Sequence, residues 1–332
     1  MKRNVRTLIF ALCLPVALAS LPAFAEAATY HTQKTFPGKA GGAVKVEAAF
    51  QDVQVKFVSG QTVTVTVDLK ISRWPQNAKD YLNQLKPVFN QDGDTLVIRS
   101  KAKSGFSFGW SQAKGTIAVQ MPRGMDLQIA TGSGDCMIKG DNAGRSISCR
   151  TGSGDIHFDG ATGRFKVNTG SGDVSFESGA KADQVKIGTG SGDVRLRGEA
   201  ADLAVTTGSG DVTAEGATGT TKVRTGSGDL QLRNFAGSLD VATGSGNVTA
   251  AWASAPSAAV VRASTGSGDV ILAFPASTAV SGALETSSGG IHSSFPGTSG
   301  RDGREWTFSG KHGGAHLDIR TSSGDITIRK SS

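Results

Sequence analysis

A five-residue string, Thr-Gly-Ser-Gly-Asp, recurs through the second half of this 332-residue chain at nearly constant spacing. Unaltered copies begin at Thr131, Thr151, Thr169, Thr189, Thr207, Thr225 and Thr265, and altered copies begin at Thr243, Thr286 and Thr321. Successive copies begin 18 to 22 residues apart, except that the last step is 35 residues. A short fixed period is typical of solenoids, in which each repeat forms one coil and stacks on the next.

Apolar residues occupy fixed positions on both sides of each copy. In the unit around Thr207, Val205 stands two places before the Thr and Val212 follows the Asp, with Leu203 and Ala214 at the next alternate positions. Alternation of apolar and polar residues predicts short strands with one buried face. A strand this short buries that face by stacking on an identical neighbour, so the columns predict one continuous core.

Glycines form the corners between these strands, and these corners account for much of the chain's 45 glycines. Because glycine tolerates positive φ, we expect Gly208 and Gly210 to hold that conformation at one corner, and a second corner follows at 216–219. We therefore predict an all-β fold, a single-stranded β-helix or β-solenoid of about ten coils of 18–22 residues. A right-handed sense is expected because parallel crossovers nearly always take that hand. Hairpins in a sandwich are the alternative.

Residues 1–25 have the pattern of a secretory signal peptide. Lys2, Arg3 and Arg6 precede an apolar stretch, and cleavage is expected near Ala25 or Ala27. No later stretch is apolar for long enough to span a membrane, so we expect a periplasmic, secreted or cell-surface protein. Cleavage lowers the formal net charge from +7 to +4, an excess too small to indicate nucleic-acid binding.

The remaining chain divides into two regions. Residues 26–125 lack the string and predict a β-rich N-terminal cap, continuous with the rod, with one short helix from Pro75 to Lys86. The aromatic segment 104–110 is expected to cover the open end of the solenoid or, alternatively, to form an exposed binding loop. Residues 126–332 form the solenoid, with a polar insertion at about 297–314.

Cys136 and Cys149 occupy inward columns of neighbouring coils. An oxidising periplasm permits a disulfide between them. Two separate buried thiols are the alternative, because free cysteine is often buried.

The aspartate column is the first candidate site. Six consecutive copies end in Asp135, Asp155, Asp173, Asp193, Asp211 and Asp229. Carboxylates stacked about 4.8 Å apart repel each other by about 1 kcal/mol per pair in water. Each carboxylate could be stabilised by backbone N–H groups of its own Gly-Ser-Gly corner. Alternatively, the column binds Ca²⁺, which makes these six residues weak calcium candidates, and no other cofactor is expected.

Basic residues form a second column on neighbouring outward positions. They are Arg150, Lys166, Lys186, Lys222, Arg224 and Arg262. Charge balance on a solvated face is one interpretation. The other is a flat binding surface for an anionic glycan or lipid headgroup.

The sequence gives little support for catalysis. His157 and His292 fall several coils apart, and His312 and His316 have no acidic or cysteine partner at metal-ligand spacing. No catalytic triad or nucleophile-elbow motif is present. We therefore predict that the protein is not an enzyme.

The serial coils, the signal peptide and the terminal sequence from Leu317 to Ile328 resemble a bacterial family of unknown function named "putative adhesin". The resemblance covers roughly residues 40–330. It implies a β-solenoid and, for some relatives, a link to envelope stress, and it brings no catalytic residues.

Three functions are compatible with these observations. The leading hypothesis is an exported, non-enzymatic adhesion or interaction surface in the cell envelope, with a glycan, an anionic lipid headgroup or a protein as its partner. The alternatives are a polysaccharide-active β-helix lyase or hydrolase, and a calcium-binding structural roll.

Overall fold

The computed structural model describes residues 28–71, 78–100, 113–300, 302–310 and 313–331. In chain order the elements are β1 (Ala28–Pro37), β2 (Ala43–Ala48), β3 (Asp52–Val58), β4 (Thr62–Ile71), α1 (Ala78–Leu85), β5 (Val88–Asp92), β6 (Thr95–Ser100), β7 (Ala113–Pro122), β8 (Asp126–Thr131), β9 (Cys136–Lys139), β10 (Asn142–Thr151), β11 (Ile156–Asp159), β12 (Thr162–Thr169), β13 (Val174–Glu177), β14 (Ala182–Thr189), β15 (Val194–Arg197), β16 (Ala200–Thr207), β17 (Val212–Glu215), β18 (Thr220–Ser227), β19 (Leu230–Phe235), β20 (Ser238–Ser245), β21 (Val248–Trp252), β22 (Ala259–Ser267), β23 (Val270–Pro275), β24 (Val280–Ser288), β25 (Ile291–Ser293), β26 (Gly297–Ser299), β27 (Glu305–Ser309), β28 (Ala315–Ser323) and β29 (Ile326–Ser331).

Two long sheets enclose a single core. Each repeat unit gives a short strand to a 14-stranded sheet, called sheet A, and a longer strand to a 15-stranded sheet, called sheet B. The Thr-Gly-Ser-Gly-Asp corner leads from the sheet B strand to the sheet A strand, and we call each such pair of strands a rung. Neighbouring rungs pair in parallel and in register, so that Thr131 lies beside Thr151 and Thr151 beside Thr169. This arrangement confirms the predicted β-solenoid.

The predicted apolar columns form the core. Ile187, Val205 and Val223 lie directly beside one another on three successive strands of sheet B, and each is at most 3% exposed. On the opposite sheet, Val194, Val212 and Leu230 form the facing column and are equally buried. The register of these rungs therefore keeps the apolar side chains inside, together with the corner threonines, and the alternate, mostly polar side chains outside.

The corner glycines are required for a reason different from the predicted one. Neither Gly208 nor Gly210 has a left-handed φ, so the prediction of positive φ at these two positions was wrong. A Cβ atom on Gly210 would instead fall on the carbonyl oxygen of Gly192 in the neighbouring rung. Left-handed glycines lie at the second corner, where Gly198 has φ 127° and Gly216 has φ 87°.

Two further rungs continue the solenoid before the first repeat. β2 and β3 lie against β8 and β9 in parallel, which places Asp52 in the aspartate column although the string is missing there. β6 and β7 pair with the other side of β2 and β3. Chain order and spatial order therefore differ, because the earlier rung lies between two later ones. The helix α1 buries Leu82 and Leu85.

Antiparallel strands close the N-terminal end of the rod. In sheet A, β4 pairs with β7, and β1 pairs with β4. In sheet B, β5 pairs with β6.

The same exchange of order occurs at the C-terminal end. β28 and β29, the last strands of the chain, lie between the rung of β22 and β23 and the rung of β24 and β25. The inserted segment before them forms the hairpin of β26 and β27, whose second strand pairs antiparallel with β24. The hairpin thus extends sheet B at the C-terminal end of the rod. We call residues 315–331, which contain β28 and β29, the last coil.

Several predictions fall on residues outside the described ranges, namely the signal peptide, the aromatic segment 104–110 and His312. Within the described ranges, no helix has the length and apolar character needed to span a membrane.

Candidate functional site

The threonine connects two rungs at eight of the ten corners, whereas the buried hydroxyls of Thr225 and Thr243 have no hydrogen-bond partner among the described residues. Within its own corner, the hydroxyl group of Thr189 accepts a hydrogen bond from the backbone N–H of Gly192 at 3.0 Å. The same hydroxyl donates to the carbonyl oxygen of Gly172, in the neighbouring rung, at 3.1 Å. Buried polar groups are generally paired in this way, so the threonine closes the corner and joins it to its neighbour.

The aspartates also join rungs, which differs from the predicted arrangement. The Oδ1 atom of Asp193 accepts a hydrogen bond from the backbone N–H of Asp211, in the next rung, at 3.0 Å. Such bonds run along the whole rod at 2.7–3.1 Å. The donors, in spatial order, are the N–H groups of Asp135, Asp155, Asp173, Asp193, Asp211, Asp229, Asn247, Asp269, Asp325 and Gly290.

This ladder explains why stacked carboxylates are tolerated. Each Oδ1 atom receives a hydrogen bond from a backbone amide, and the guanidinium of Arg195 lies 3.1 Å from Asp193 Oδ2 and 3.7 Å from Asp173 Oδ2. The sequence suggested that each aspartate accepts hydrogen bonds from its own corner. This was wrong in one respect, because the backbone N–H donor belongs to the next rung. Among the described residues, no three or more His, Cys, Asp or Glu side chains are grouped so that they could hold a metal ion.

Replacing Asp193 with asparagine should change the free energy of unfolding by less than about 1 kcal/mol. The amide oxygen keeps the acceptor, as the natural Asn247 shows by accepting the N–H of Asp269 at 2.9 Å. Asp193→Ala removes the acceptor and should cost more than Asp193→Asn. Chemical denaturation measures both variants.

A millimolar chelator should leave the melting temperature of the wild-type protein unchanged. A drop that added Ca²⁺ reverses, and that Asp193→Asn blunts, would instead identify the column as a calcium site through mass action.

The predicted basic column divides into two parts on the outer face of sheet B. Arg150, Lys166 and Lys186 lie on three successive rungs, and the two lysines are directly opposite each other. All three are exposed, and none has a carboxylate within 4.0 Å among the described residues. We call these three residues the free basic patch.

The other basic residues surround one carboxylate. Arg224 forms two hydrogen bonds of 2.9 Å with Asp240, and Lys222 lies 3.7 Å from the same side chain. Hydrogen bonding by Arg224 lowers the pKa of Asp240, helped by the charges of Arg224, Lys222 and Arg262 and opposed by partial burial. Ala204 separates this cluster around Asp240 from the free basic patch, so the basic column is not continuous.

A shallow depression adjoins the free basic patch. Lys166 and Asn168 lie on β12, Lys186 and Gly188 on β14 and Ala204 on β16, so three adjacent strands line it. The side-chain oxygen of Asn168 lies against Gly188, where a Cβ atom would meet it at 2.6 Å, and two lysine side chains border the depression. The depression can therefore accept a group that carries negative charge and hydrogen-bond acceptors.

Among the described residues, the histidines that the sequence singled out lie apart. His157 and His292 are outward residues on distant strands of sheet A. His316 lies on β28, beyond the polar insertion, and its Nδ1 atom is 3.2 Å from the hydroxyl of Ser281.

Cys136 and Cys149 are both buried and unbonded. A hydrogen bond with the Cys136 thiol, together with burial, raises the pKa of Cys149. Raising the pKa reduces the thiolate fraction and so makes the thiol less reactive.

The match to a protein family decides the classification. The family described as Toastrack DUF4097 matches residues 43–220 and 163–329. This chain belongs to the Toastrack DUF4097 family. The match confirms the resemblance that the repeated string carries. It also begins at Ala43, the first residue of β2, and so includes the early rungs that lack the string.

Solved structures with limited similarity to this Toastrack protein include two that are called a "putative adhesin". The structure from Parabacteroides merdae is 9% identical, with 91% of this chain and 96% of that chain covered and a TM-score of 0.37. The structure from Bacteroides fragilis is 13% identical, with 91% and 97% covered and a TM-score of 0.32.

A structure from Parabacteroides distasonis, called a "putative lipid binding protein", is 11% identical, with 91% and 97% covered and a TM-score of 0.35. No curated protein matches the chain.

Proposed function

We propose that this Toastrack protein is an exported, non-enzymatic interaction protein of the bacterial envelope that binds an anionic partner on the outer face of sheet B. The observation that carries the proposal is the free basic patch. Lys166 and Lys186 are directly opposite each other on adjacent strands, and neither ammonium group has a carboxylate partner among the described residues. Like charges on neighbouring strands are destabilising, and a bound anion would relieve their repulsion.

Such a surface costs the solenoid little stability. Stability lies in the inward columns and in the corner hydrogen bonds, so the outward residues of sheet B are not needed for folding. Some other basic residues of this face lie beside carboxylates, as Arg224 does beside Asp240 and Arg320 beside Glu285 and Asp318. Two lysines that lie directly opposite each other, with no such carboxylate among the described residues, are therefore a feature to explain by function rather than by folding.

The chemistry of the patch indicates phosphate, sulfate or carboxylate groups on an extended partner. Lysine and arginine donate hydrogen bonds to such oxygens, and three cationic side chains on consecutive rungs suit a ligand with repeated charges. An acidic envelope glycan and the headgroups of anionic lipids share this chemistry. The link to envelope stress rests on the family resemblance.

A double charge reversal, Lys166→Glu with Lys186→Glu, tests the proposal. We expect the wild-type protein to bind immobilised acidic polysaccharide or vesicles containing phosphatidylglycerol, more weakly as salt rises. The double variant should bind at least about tenfold more weakly, which corresponds to about 1.4 kcal/mol. Comparison of the polysaccharide with the vesicles distinguishes the two sources of anions.

The matched control is Lys56→Glu with Lys139→Glu, which also reverses two exposed charges that lie directly opposite each other, but on sheet A, the opposite face. It should leave binding unchanged. Equal loss in both variants would show that net charge alone attracts the anion, and no loss in the double variant would exclude the patch. Cleavage of the polysaccharide by the wild-type protein would favour the enzyme alternative.

A further inference from the structure

Two depressions follow each other on the outer face of sheet B. One is the depression at the free basic patch, which residues of β12, β14 and β16 line. Residues of β2, β8 and β10 line the other, and the outward ones are Lys45, Glu47, Gln128, Ala130, Ser148 and Arg150. Since β10 pairs with β12, the second depression begins where the first ends. Six adjacent strands therefore form one continuous surface along the rod.

The outward residues of these six strands form two straight rows. The strands pair in register, so the first row contains Lys45, Gln128, Ser148, Lys166, Lys186 and Ala204. The second row contains Glu47, Ala130, Arg150, Asn168, Gly188 and Thr206. Neighbouring strands lie about 4.8 Å apart, so each row extends for about 24 Å. We call the two rows together the trough.

Positive charge is distributed along the trough. Lys45 lies at one end of it, and the free basic patch occupies three of the other strands. Arg164 stands two residues before Lys166 on the same face of β12, and it is exposed. Neither Lys45 nor Arg164 has a carboxylate within 4.0 Å among the described residues. Cations on four of the six strands suit a ligand that carries several negative charges along its length.

Three carboxylates lie on the trough or on the row beside it, and each is bonded to another side chain. Glu47, Asp126 and Asp202 bond to Arg99, Arg145 and Gln184 at 2.8, 2.9 and 2.8 Å, respectively. None of these bonds involves a lysine of the trough. The lysine ammonium groups therefore keep their donors for a ligand.

Neutral hydrogen-bonding groups stand between the cations. Gln128 and Asn168 carry amides, and Ser148 and Thr206 carry hydroxyl groups. Amides and hydroxyl groups can both donate and accept hydrogen bonds, as the hydroxyl groups of a sugar also do. The trough thus has partners for the uncharged part of a sugar as well as for its anionic groups.

The trough has no large apolar side chain at its surface. Among the described residues, the exposed large apolar side chains are Val88 and Met137, and neither belongs to either row. Proteins that lie on a lipid surface bury apolar side chains at the boundary of the acyl chains. The composition of the trough therefore favours a carbohydrate over a membrane.

From this lining we infer that the trough binds a linear acidic polysaccharide that lies along the rod, across the strands of sheet B. The inference rests on the proposed function, and it adds the class of ligand, its direction and a second binding segment around Lys45 and Gln128. A chain that spans both depressions joins their contacts in one molecule, so its affinity exceeds that of a short fragment. A two-sugar fragment at Lys166 and Lys186 uses the free basic patch alone.

The experiment measures the binding of galacturonate oligomers of two to twelve sugars, which carry one carboxylate on each sugar. We expect the affinity of the wild-type protein to rise steeply with length and to level off once an oligomer spans about 24 Å. Calorimetry measures the longer oligomers, and nuclear magnetic resonance titration measures the two-sugar fragment. A salt concentration of about 0.15 M limits the range of charge effects to about 8 Å.

The test variant is Lys45→Glu with Gln128→Glu, which changes two residues that lie directly opposite each other outside the free basic patch. It should bind the twelve-sugar oligomer at least about tenfold more weakly and the two-sugar fragment within about threefold of the wild type. The matched control is Lys56→Glu with Gln120→Glu, an exposed lysine and glutamine that are also directly opposite each other, but on sheet A. The control should bind both oligomers as the wild type does.

The outcomes separate this inference from the proposed function. Wild-type binding of the twelve-sugar oligomer by the Lys45→Glu, Gln128→Glu variant, with loss in the Lys166→Glu, Lys186→Glu variant, would overturn the trough and leave the free basic patch in place. Affinity that does not rise with length would do the same. Binding of phosphatidylglycerol vesicles without binding of any oligomer would overturn the carbohydrate ligand alone. Unchanged binding in both variants would overturn the inference and the proposed function together.

Discussion

Replacing Gly210 with valine should destabilise the rod by more than about 3 kcal/mol. The Cβ atom of any larger residue would coincide with the carbonyl oxygen of Gly192 in the neighbouring rung. That oxygen belongs to the backbone and also accepts a hydrogen bond from Thr207, so it cannot move aside as a flexible side chain would. Relief of the clash therefore requires that the two rungs separate locally, which breaks their hydrogen bonds.

Gly179→Val is the matched control. Gly179 lies at the other corner of the unit and does not have a left-handed φ, and a Cβ atom added to it would meet nothing within 4 Å. Its replacement should change stability by less than about 1 kcal/mol. Urea denaturation and hydrogen exchange measure both variants, and wild-type protection of the rungs around Gly210→Val would contradict the close-approach explanation.

The glycine corners show how far the sequence can lead. Eight of the ten copies place a glycine on each side of the corner serine, whereas Ser287 and Ser322 replace the first glycine in the last two copies. The second glycine is present in all ten copies, in agreement with the lack of room for a side chain at Gly210. The prediction considered one coil at a time, and for a single coil positive φ is the usual reason for a glycine at a corner. The actual cause is the distance between rungs, which appears only when Gly210 is placed above Gly192.

The order of the rungs illustrates a second limit. The inward columns predict correctly that Val205 stacks between Ile187 and Val223, because identical units stack most favourably in register. They do not reveal that the last coil enters between two earlier rungs, since every repeat has the same edges and can pair with any other. The rung of β2 and β3 was missed because Ala48, Ala49, Phe50 and Gln51 stand where the string has Thr, Gly, Ser and Gly, so that only Asp52 matches it. The side chain of Gln51 accepts the N–H of Ala49 at 3.0 Å.

The candidate site was predicted in part. The sequence correctly placed the basic residues on one outward face, but spacing alone did not show which of them have carboxylate partners. Asp240 occupies the position between Lys222 and Arg262 on adjacent strands and is bonded to Arg224, so it offsets part of the positive charge at that end of the column. No acid occupies the corresponding positions beside Lys186, where Lys166 and Ala204 lie. The free basic patch is therefore defined by which residues lie opposite each basic side chain, and not by the count of basic residues.

Replacing Val205 with aspartate should unfold or fray the rod, with a loss of several kcal/mol on the order of the 3–5 kcal/mol that an uncompensated buried charge costs. Val205 is 1% exposed and lies between Ile187 and Val223 in the apolar column. No polar partner is available in that column, so the new carboxyl loses its hydration without gaining a hydrogen bond. Removal of the valine side chain from the core adds a packing loss to this electrostatic cost.

Thr206→Asp is the control for this substitution, because Thr206 is the next residue of β16 and faces solvent. It should stay within about 0.5 kcal/mol of the wild type. Burial raises the pKa of the carboxyl introduced by Val205→Asp above its value in the unfolded chain, which is about 3.9. The unfolded state then binds fewer protons than the folded state at intermediate pH, so the variant should regain stability relative to wild type as pH falls towards 4. A deficit equal at pH 7 and pH 4.5, or equal melting temperatures for the two variants, would contradict the inward position of Val205.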